Sequence, residues 1–179
     1  MELPHRKPNR LPDFDYSTPG AYFITICTKD RKCILGDVVG ASIARPQSLQ
    51  LSKYGTIVAD TIHNIAKHYP AVSVDHFVVM PNHVHLLLQI NTDANGRPMV
   101  APTISTVIQQ LKGVVTKKIG KPIWQKLYHD HVIRNEQDYL KIWEYIDNNP
   151  ANWQKDCFYI ENRGVEAAAP YNYPREDKP

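Results

Sequence analysis

Residues 72–90, VSVDHFVVMPNHVHLLLQI, hold two runs rich in Val, Leu, Ile and Phe on either side of Pro81-Asn82. The β-branched and aromatic content predicts strands over 72–80 and 83–90. A Pro-Asn pair is turn chemistry, so the two strands are expected to pair antiparallel as a hairpin. Side chains on a strand alternate faces. Val84, Leu86, Leu88 and Ile90 therefore point one way, into a core, and His83, His85 and Leu87 the other. Two neutral imidazoles side by side can ligate one divalent ion, whereas two buried protonated ones would repel each other. A His-x-His pair by itself leaves two readings open: a metal site, or two accommodated histidines.

Outward from the hairpin, AYFITICT (21–28) predicts another strand, and short strands are expected near 33–39 and 47–51. Ser52 is a fitting N-cap for a helix whose apolar stripe (Ile57, Ile62, Ile65, Ala66) runs to Tyr69, where Pro70 stops it. Residues 91–102 read as a loop. In 103–119, apolar residues at 104, 107, 108, 111 and 115 have helical spacing, and lysines gather towards the C-terminal end. Gly120 and Pro122 end that helix. IWQKLYHDHVI (123–133) predicts a strand, and EQDYLKIWEYIDNN (136–149) a last helix closed by Pro150. The order β–α–β–β–α–β–α implies an α+β fold in which helices sandwich a central antiparallel sheet.

A chain of 179 residues with 42% hydrophobic content suits one domain with a real core. We divide it into an extended, proline-bearing N-terminal arm (1–19), the folded domain (20–155) and a C-terminal tail (156–179). No apolar run approaches the roughly 18–20 residues that span a bilayer. The N-terminus carries proline and charge where a signal peptide needs an apolar stretch, so a cytoplasmic protein is expected. Three cysteines (Cys27, Cys33, Cys157) without a C-x-x-C pair fit reduced thiols. The net charge of +3 is too small to indicate a polyanion, but its distribution is suggestive. Residues 110–141 hold Lys112, Lys117, Lys118, Lys121, Lys126, Arg134 and Lys141 against Asp130, Glu136 and Asp138, and the arm adds Arg6, Lys7 and Arg10. That pattern suits a nucleic acid or a solvated helix face.

In EYIDNNP (144–150), Tyr145 and Asn149 lie four apart, on one helical face. A tyrosine hydroxyl is a nucleophile and an amide oxygen a hard ligand, although packing and helix termination explain the same residues. Tyr139 is six residues, about 600° of helix, before Tyr145 and falls on a different face, so it is assigned to packing. A second pair, His129 and His131, flanks Asp130 in a polar, basic stretch and reads as surface or substrate contact. His63 and His68 are expected in solvent.

VVMPNHVHLLL, WQKLYHDHVIRNEQDY and EYIDNNP, in that order, resemble the single-tyrosine HUH transposases and, within them, the REP-associated tyrosine transposases. The resemblance spans roughly residues 20–153. It implies an HUH endonuclease (ferredoxin-like) fold, with the histidine pair on a central strand and the nucleophile on a C-terminal helix. Carried over by position, His83 and His85 take the metal-ligand places, Tyr145 the nucleophile's, and Asn149 that of a polar third ligand. The implied activity is cleavage and rejoining of single-stranded or hairpin DNA through a covalent 5′-phosphotyrosine, leaving a free 3′-hydroxyl. Ligation by His, His and Asn suits Mg²⁺ or Mn²⁺, and zinc less well without a thiolate or carboxylate. The absence of a G-x-x-x-x-G-K-[ST] loop agrees with chemistry that needs no ATP.

Lys112, Lys117, Lys118, Arg134 and His131 are the candidate DNA contacts, and a homodimer is a possible assembly, with the tyrosine serving its own histidines or a neighbour's. The competing readings are a metal-dependent hydrolase unrelated to DNA, a domesticated DNA-binding protein of the same fold without strand transfer, and a relaxase or replication initiator.

Overall fold

The computed structural model describes residues 14–40, 48–93, 95–97 and 102–159. Four strands, β1 (Gly20–Cys27), β4 (Val72–Val79), β5 (His83–Ile90) and β6 (His129–Val132), form one antiparallel sheet in the order β4-β5-β1-β6. β2 (Gly36–Val39) and β3 (Ser48–Leu51) make a separate two-stranded sheet. The helices are α1 (Lys53–His63), the single turn α2 (Ile65–His68), α3 (Ile104–Ile119) and α4 (Glu136–Asn148). The expected α+β architecture is thus the one observed.

The alternation along β5 divides the interior. Val84, Leu86, Leu88 and Ile90 belong to a core shared with Val58 and Ile62 of α1 and with Ile104, Val107, Ile108, Leu111 and Val115 of α3. Leu87 faces the other way, into a second core with Phe23, Ile142, Ile146, Trp153 and Phe158. The sheet is a middle layer, with α1 and α3 on one side and α4 on the other. Leu86, Leu87 and Leu88 are fully buried, each contributing about 1.5–3 kcal/mol by removal from water. A register slip of one residue would exchange the two faces and place both histidines in the aliphatic core, so burial on both sides fixes the pairing.

Ser52 caps α1, its Oγ accepting from the amides of Tyr54 and Gly55. Gly55 is required here, because a Cβ would stand 1.9 Å from the Leu35 carbonyl oxygen. The helix breaks at Asn64 rather than running to Tyr69: the Asn64 side chain donates to the Asp60 carbonyl and its backbone leaves the helical region. Thr103 caps α3, and Gly120, at φ +82°, closes it in the left-handed conformation.

Of the strand expected over 123–133, only His129–Val132 forms. The Lys112 ammonium explains the loss. It donates to the carbonyls of Gln125 (2.7 Å), Lys126 (3.2 Å) and Leu127 (3.3 Å). Three successive carbonyls converge on one cation, whereas in a strand they alternate. Past residue 155, Phe158 is buried in the second core. At the other end, Tyr16 is buried in the first core. Arg6, Lys7 and Arg10 lie outside the described residues. No helix among the described residues is long and apolar enough to cross a membrane.

Candidate functional site

The tight turn Met80-Pro81-Asn82-His83, closed by the Met80 amide on the His83 carbonyl at 2.9 Å, starts β5 with its histidines at once. His83 and His85 are buried, at 0% and 1% exposure, on the α4 side of the sheet. Burial holds His85 down to about 3, and burial together with the neighbouring His85 and Arg31 holds His83 well below the usual histidine range. Both rings are therefore neutral, the state that ligates metal.

Their outer nitrogens are held by neighbours. Asn82 is fully buried and donates through Nδ2 to the carbonyls of Phe158 (2.7 Å) and Arg31 (3.2 Å). Its Oδ1 is thereby turned to His83 Nδ1, 2.9 Å away. An amide oxygen only accepts, so Nδ1 carries the proton and Nε2 presents a lone pair. His85 Nδ1 lies 2.8 Å from the hydroxyl of Thr25, its register partner on β1. A hydroxyl donates or accepts, so Thr25 accommodates either tautomer of His85. The two Nε2 atoms are 3.0 Å apart.

α4 brings Tyr145 to this pair. Asn135 caps the helix through the Asp138 amide, and contacts with β4 set its rotation. A bulge between Val74 and His76 leaves Asp75 to accept from the Tyr139 hydroxyl (3.0 Å). His76 stacks on Trp143 and meets Asp147 at 2.7 Å. Tyr139 thus anchors the helix, and Tyr145 reaches the site: its hydroxyl is 3.4 Å from His85 Nε2, and its ring meets Phe23 edge-on.

Asp156 completes the cluster. Its Oδ2 accepts from Asn149 Nδ2 (2.9 Å) and from the Tyr145 hydroxyl (3.4 Å), and its Oδ1 accepts from the Phe158 amide (2.7 Å). One ligand atom each from His83, His85 and Asp156 lies within 4.8 Å of the others, an arrangement that could hold a metal ion. The fit has a further support. Oδ1 of Asn149 is buried without a hydrogen-bond partner, a state costing about 1–3 kcal/mol that a cation would relieve. Asp156 also supplies the carboxylate whose absence weighed against zinc in the sequence, and with Asn149 Oδ1 it gives hard oxygen donors that suit Mg²⁺ or Mn²⁺.

Asp30 and Arg31, at φ 57° and 53°, hold left-handed backbone without being glycine, a strained turn of the kind that persists where its surroundings over-determine it. Arg31 offers its carbonyl to Asn82, and its guanidinium lies 5.2 Å from the Phe158 ring, which packs on His83 at 4.6 Å. The turn ties the 156–158 segment to the histidines.

His83, His85, Tyr145 and Asn149 are thus brought together within one chain. The proposed DNA contacts are not gathered there. Lys112 is committed to backbone carbonyls, Lys118 donates to Thr61, and both sit with the exposed Lys117 on α3, across the sheet from Tyr145. His131 pairs with Asp138 at 2.8 Å, and Arg134 is exposed just before α4. Asp156, Asn82 and Thr25 were not singled out from the sequence. Asn82 read as a turn residue, and the eight residues from Asn149 to Asp156 follow no α-helical or strand period.

A neutral histidine pair on a central strand, faced by a helix-borne tyrosine with a polar residue one turn on, is the arrangement that the resemblance of the sequence motifs implies. An uncharacterized protein of Haemophilus influenzae is 34% identical over 176 residues, covering 88% of this chain and 94% of its own length. A second Haemophilus influenzae protein, named provisionally as a REP-associated tyrosine transposase, is 24% identical over 145 residues, covering 76% of this chain and 73% of its own. The solved structure of the REP-associated tyrosine transposase bound to a REP hairpin shares the fold, with a TM-score of 0.57 over 86% of this chain and 74% of that one, at 21% identity. No family model matches the chain. The chain is thus similar in sequence to a protein named as a REP-associated tyrosine transposase and shares the fold of the solved one.

Proposed function

We propose that the protein is a transposase that cleaves and rejoins single strands of hairpin-bearing DNA, with Tyr145 as nucleophile and a divalent ion, Mg²⁺ or Mn²⁺, as cofactor. The observation that carries this reading is the Tyr145 hydroxyl, 3.4 Å from both His85 Nε2 and Asp156 Oδ2 and so at the edge of the candidate metal cluster. His83, His85 and Asp156 would hold the ion, with the orphan Oδ1 of Asn149 as a further donor. When bound, the ion supplies Lewis-acid polarisation of a non-bridging phosphate oxygen.

Tyr145 attacks phosphorus in line, the Tyr145 O–P bond forms and the P–O3′ bond breaks. The phenolic proton leaves to solvent, and the departing 3′ oxygen takes one up. The free 3′-hydroxyl can then attack a phosphotyrosine in reverse, which conserves bond energy and rejoins strands. Tyr145 and the histidines come from one chain, so a single copy contains the whole reacting set. Lys117, Lys118 and Arg134 are proposed to meet phosphates away from the cleavage point. Their loss should weaken binding broadly and lower its salt dependence.

The test is incubation with end-labelled hairpin-bearing single-stranded DNA and Mn²⁺ or Mg²⁺. A covalent protein–DNA adduct is expected, abolished by chelator and by Tyr145→Phe. An adduct that survives Tyr145→Phe removes the nucleophile, and cleavage that survives His83→Ala with His85→Ala removes the metal site.

A further inference from the structure

A cleft of about 450 Å³ opens beside Tyr145, between α4 and residues 152–157. Its volume falls in the range of small-molecule sites, and beyond Tyr145, Asn149 and Asp156 of the candidate site it is lined by residues that neither the metal cluster nor the attack on phosphorus uses. Along one wall, Lys141, Tyr145 and Asn149 follow each other at intervals of four residues and so form a single stripe on α4. Lys155 stands on the opposite wall. Both lysines are exposed.

We propose that this cleft is a subsite for the nucleotide next to the scissile phosphodiester, with Lys141 holding the neighbouring phosphate and Lys155 approaching it from the other side. The inference rests on the strand-cleaving reading and deepens it. One helical turn separates Lys141 from Tyr145 by about 6 Å along the axis, close to the repeat of one nucleotide in an extended strand. A strand lying along the stripe with its reacting phosphorus at Tyr145 therefore brings its next phosphate to Lys141. Glu144 and Asn148 form the adjacent stripe of the same wall. The carboxylate is thereby set off the phosphate path, on the side where a base edge would lie. Unpaired bases offer their edges to such acceptors and amides, which suits single-stranded substrate.

The experiment compares adduct formation on hairpin-bearing oligonucleotides in which one uncharged methylphosphonate replaces the phosphate on either side of the scissile one. At one placement the wild-type protein is expected to react roughly tenfold more slowly, the loss of one charge-assisted contact. At that placement Lys141→Ala should lose no further rate, Lys155→Ala should show a reduced sensitivity, and Lys141→Arg, which keeps the charge, should regain the sensitivity that Lys141→Ala lacks. If the variant and the methylphosphonate losses multiply at both placements, the lysines do not touch those phosphates and the subsite is overturned, while the cleavage reading stands. Failure of wild-type protein to form an adduct on the unmodified strand overturns the cleavage reading, and the subsite with it.

Discussion

Asn82 Oδ1 lies 2.9 Å from His83 Nδ1 while its own Nδ2 bridges the carbonyls of Arg31 and Phe158. One buried amide thus sets the tautomer of a candidate metal ligand and ties down the segment that carries Asp156. Asn82→Ala removes both functions. We expect a loss of about 1–3 kcal/mol in stability from two carbonyls left without a donor, and Mn²⁺ affinity lowered about 10–100-fold. Asn82→Asp keeps an acceptor for His83 but no donor for the carbonyls, so it should lose stability while retaining most of the affinity. Thermal melts and titration calorimetry separate the two; equal affinity in all three proteins would remove Asn82 from the support of the site.

Asp156 is the one carboxylate in the cluster, and it also joins Asn149, Tyr145 and the Phe158 amide. Asp156→Asn preserves the shape and removes the charge. Mn²⁺ affinity should fall about 10–100-fold, with adduct formation recovering as the metal concentration is raised. A loss of activity that no metal concentration restores would show that Asp156 acts on Tyr145 rather than on the ion.

The hairpin and its histidines were legible because two periods agreed: alternation over 83–90 assigned each side chain to a face, and Pro81-Asn82 marked the turn. The Tyr145–Asn149 pair was legible because both fall within one helix, where spacing determines direction. Asp156 was not, because the irregular segment that carries it is positioned by tertiary contacts, the Asn82 amide on the Phe158 carbonyl and Arg31 over the Phe158 ring. The missing half of the strand over 123–133 has the same origin. Its β-prone residues are outweighed by Lys112, a residue on α3 that local pattern could not connect to it.

Lys112 contrasts with the lysines proposed to meet phosphates. Its half-buried ammonium serves three carbonyls, whereas Lys117 on the same helix is exposed. Lys112→Met should destabilise the protein by about 1–3 kcal/mol with an unchanged salt dependence of DNA binding. Lys117→Ala should leave the melting temperature alone and lower the salt slope by about one ion. Fluorescence anisotropy across a salt series decides; the reverse pattern would restore Lys112 as a phosphate contact.

Tyr139 tests the choice of nucleophile. Its hydroxyl donates to Asp75 and does not belong to the metal cluster. Tyr139→Phe is expected to keep adduct formation within about twofold and to cost about 0.5–1.5 kcal/mol in stability, visible as a lower urea midpoint. Tyr145→Phe should do the opposite, with its ring still packed on Phe23 and little change in midpoint. Adduct lost in Tyr139→Phe at full folding would reverse the assignment.

The neutral histidine pair makes stability depend on pH in a defined direction. The folded-state values of His83 and His85 lie below the ordinary one, His85 at about 3, so below pH ~6.5 the unfolded chain binds more protons than the native one. Their contribution is therefore fully present above that pH and is lost as pH falls towards the folded values, by about 1.4 kcal/mol per pH unit for each ring. His129, lowered chiefly by desolvation, adds to the same slope. In chelator, the urea midpoint should drop steeply between pH 6.5 and 4.5. The double variant His83→Gln, His85→Gln should flatten most of that slope, whatever its absolute stability. Saturating Mn²⁺ should raise the midpoint by a similar amount across this range, because both rings are already neutral in the native state and protons do not displace the ion. A midpoint flat across this range in chelator would mean that the pair is already charged in the native state, and the tautomer set by Asn82 would have to be abandoned.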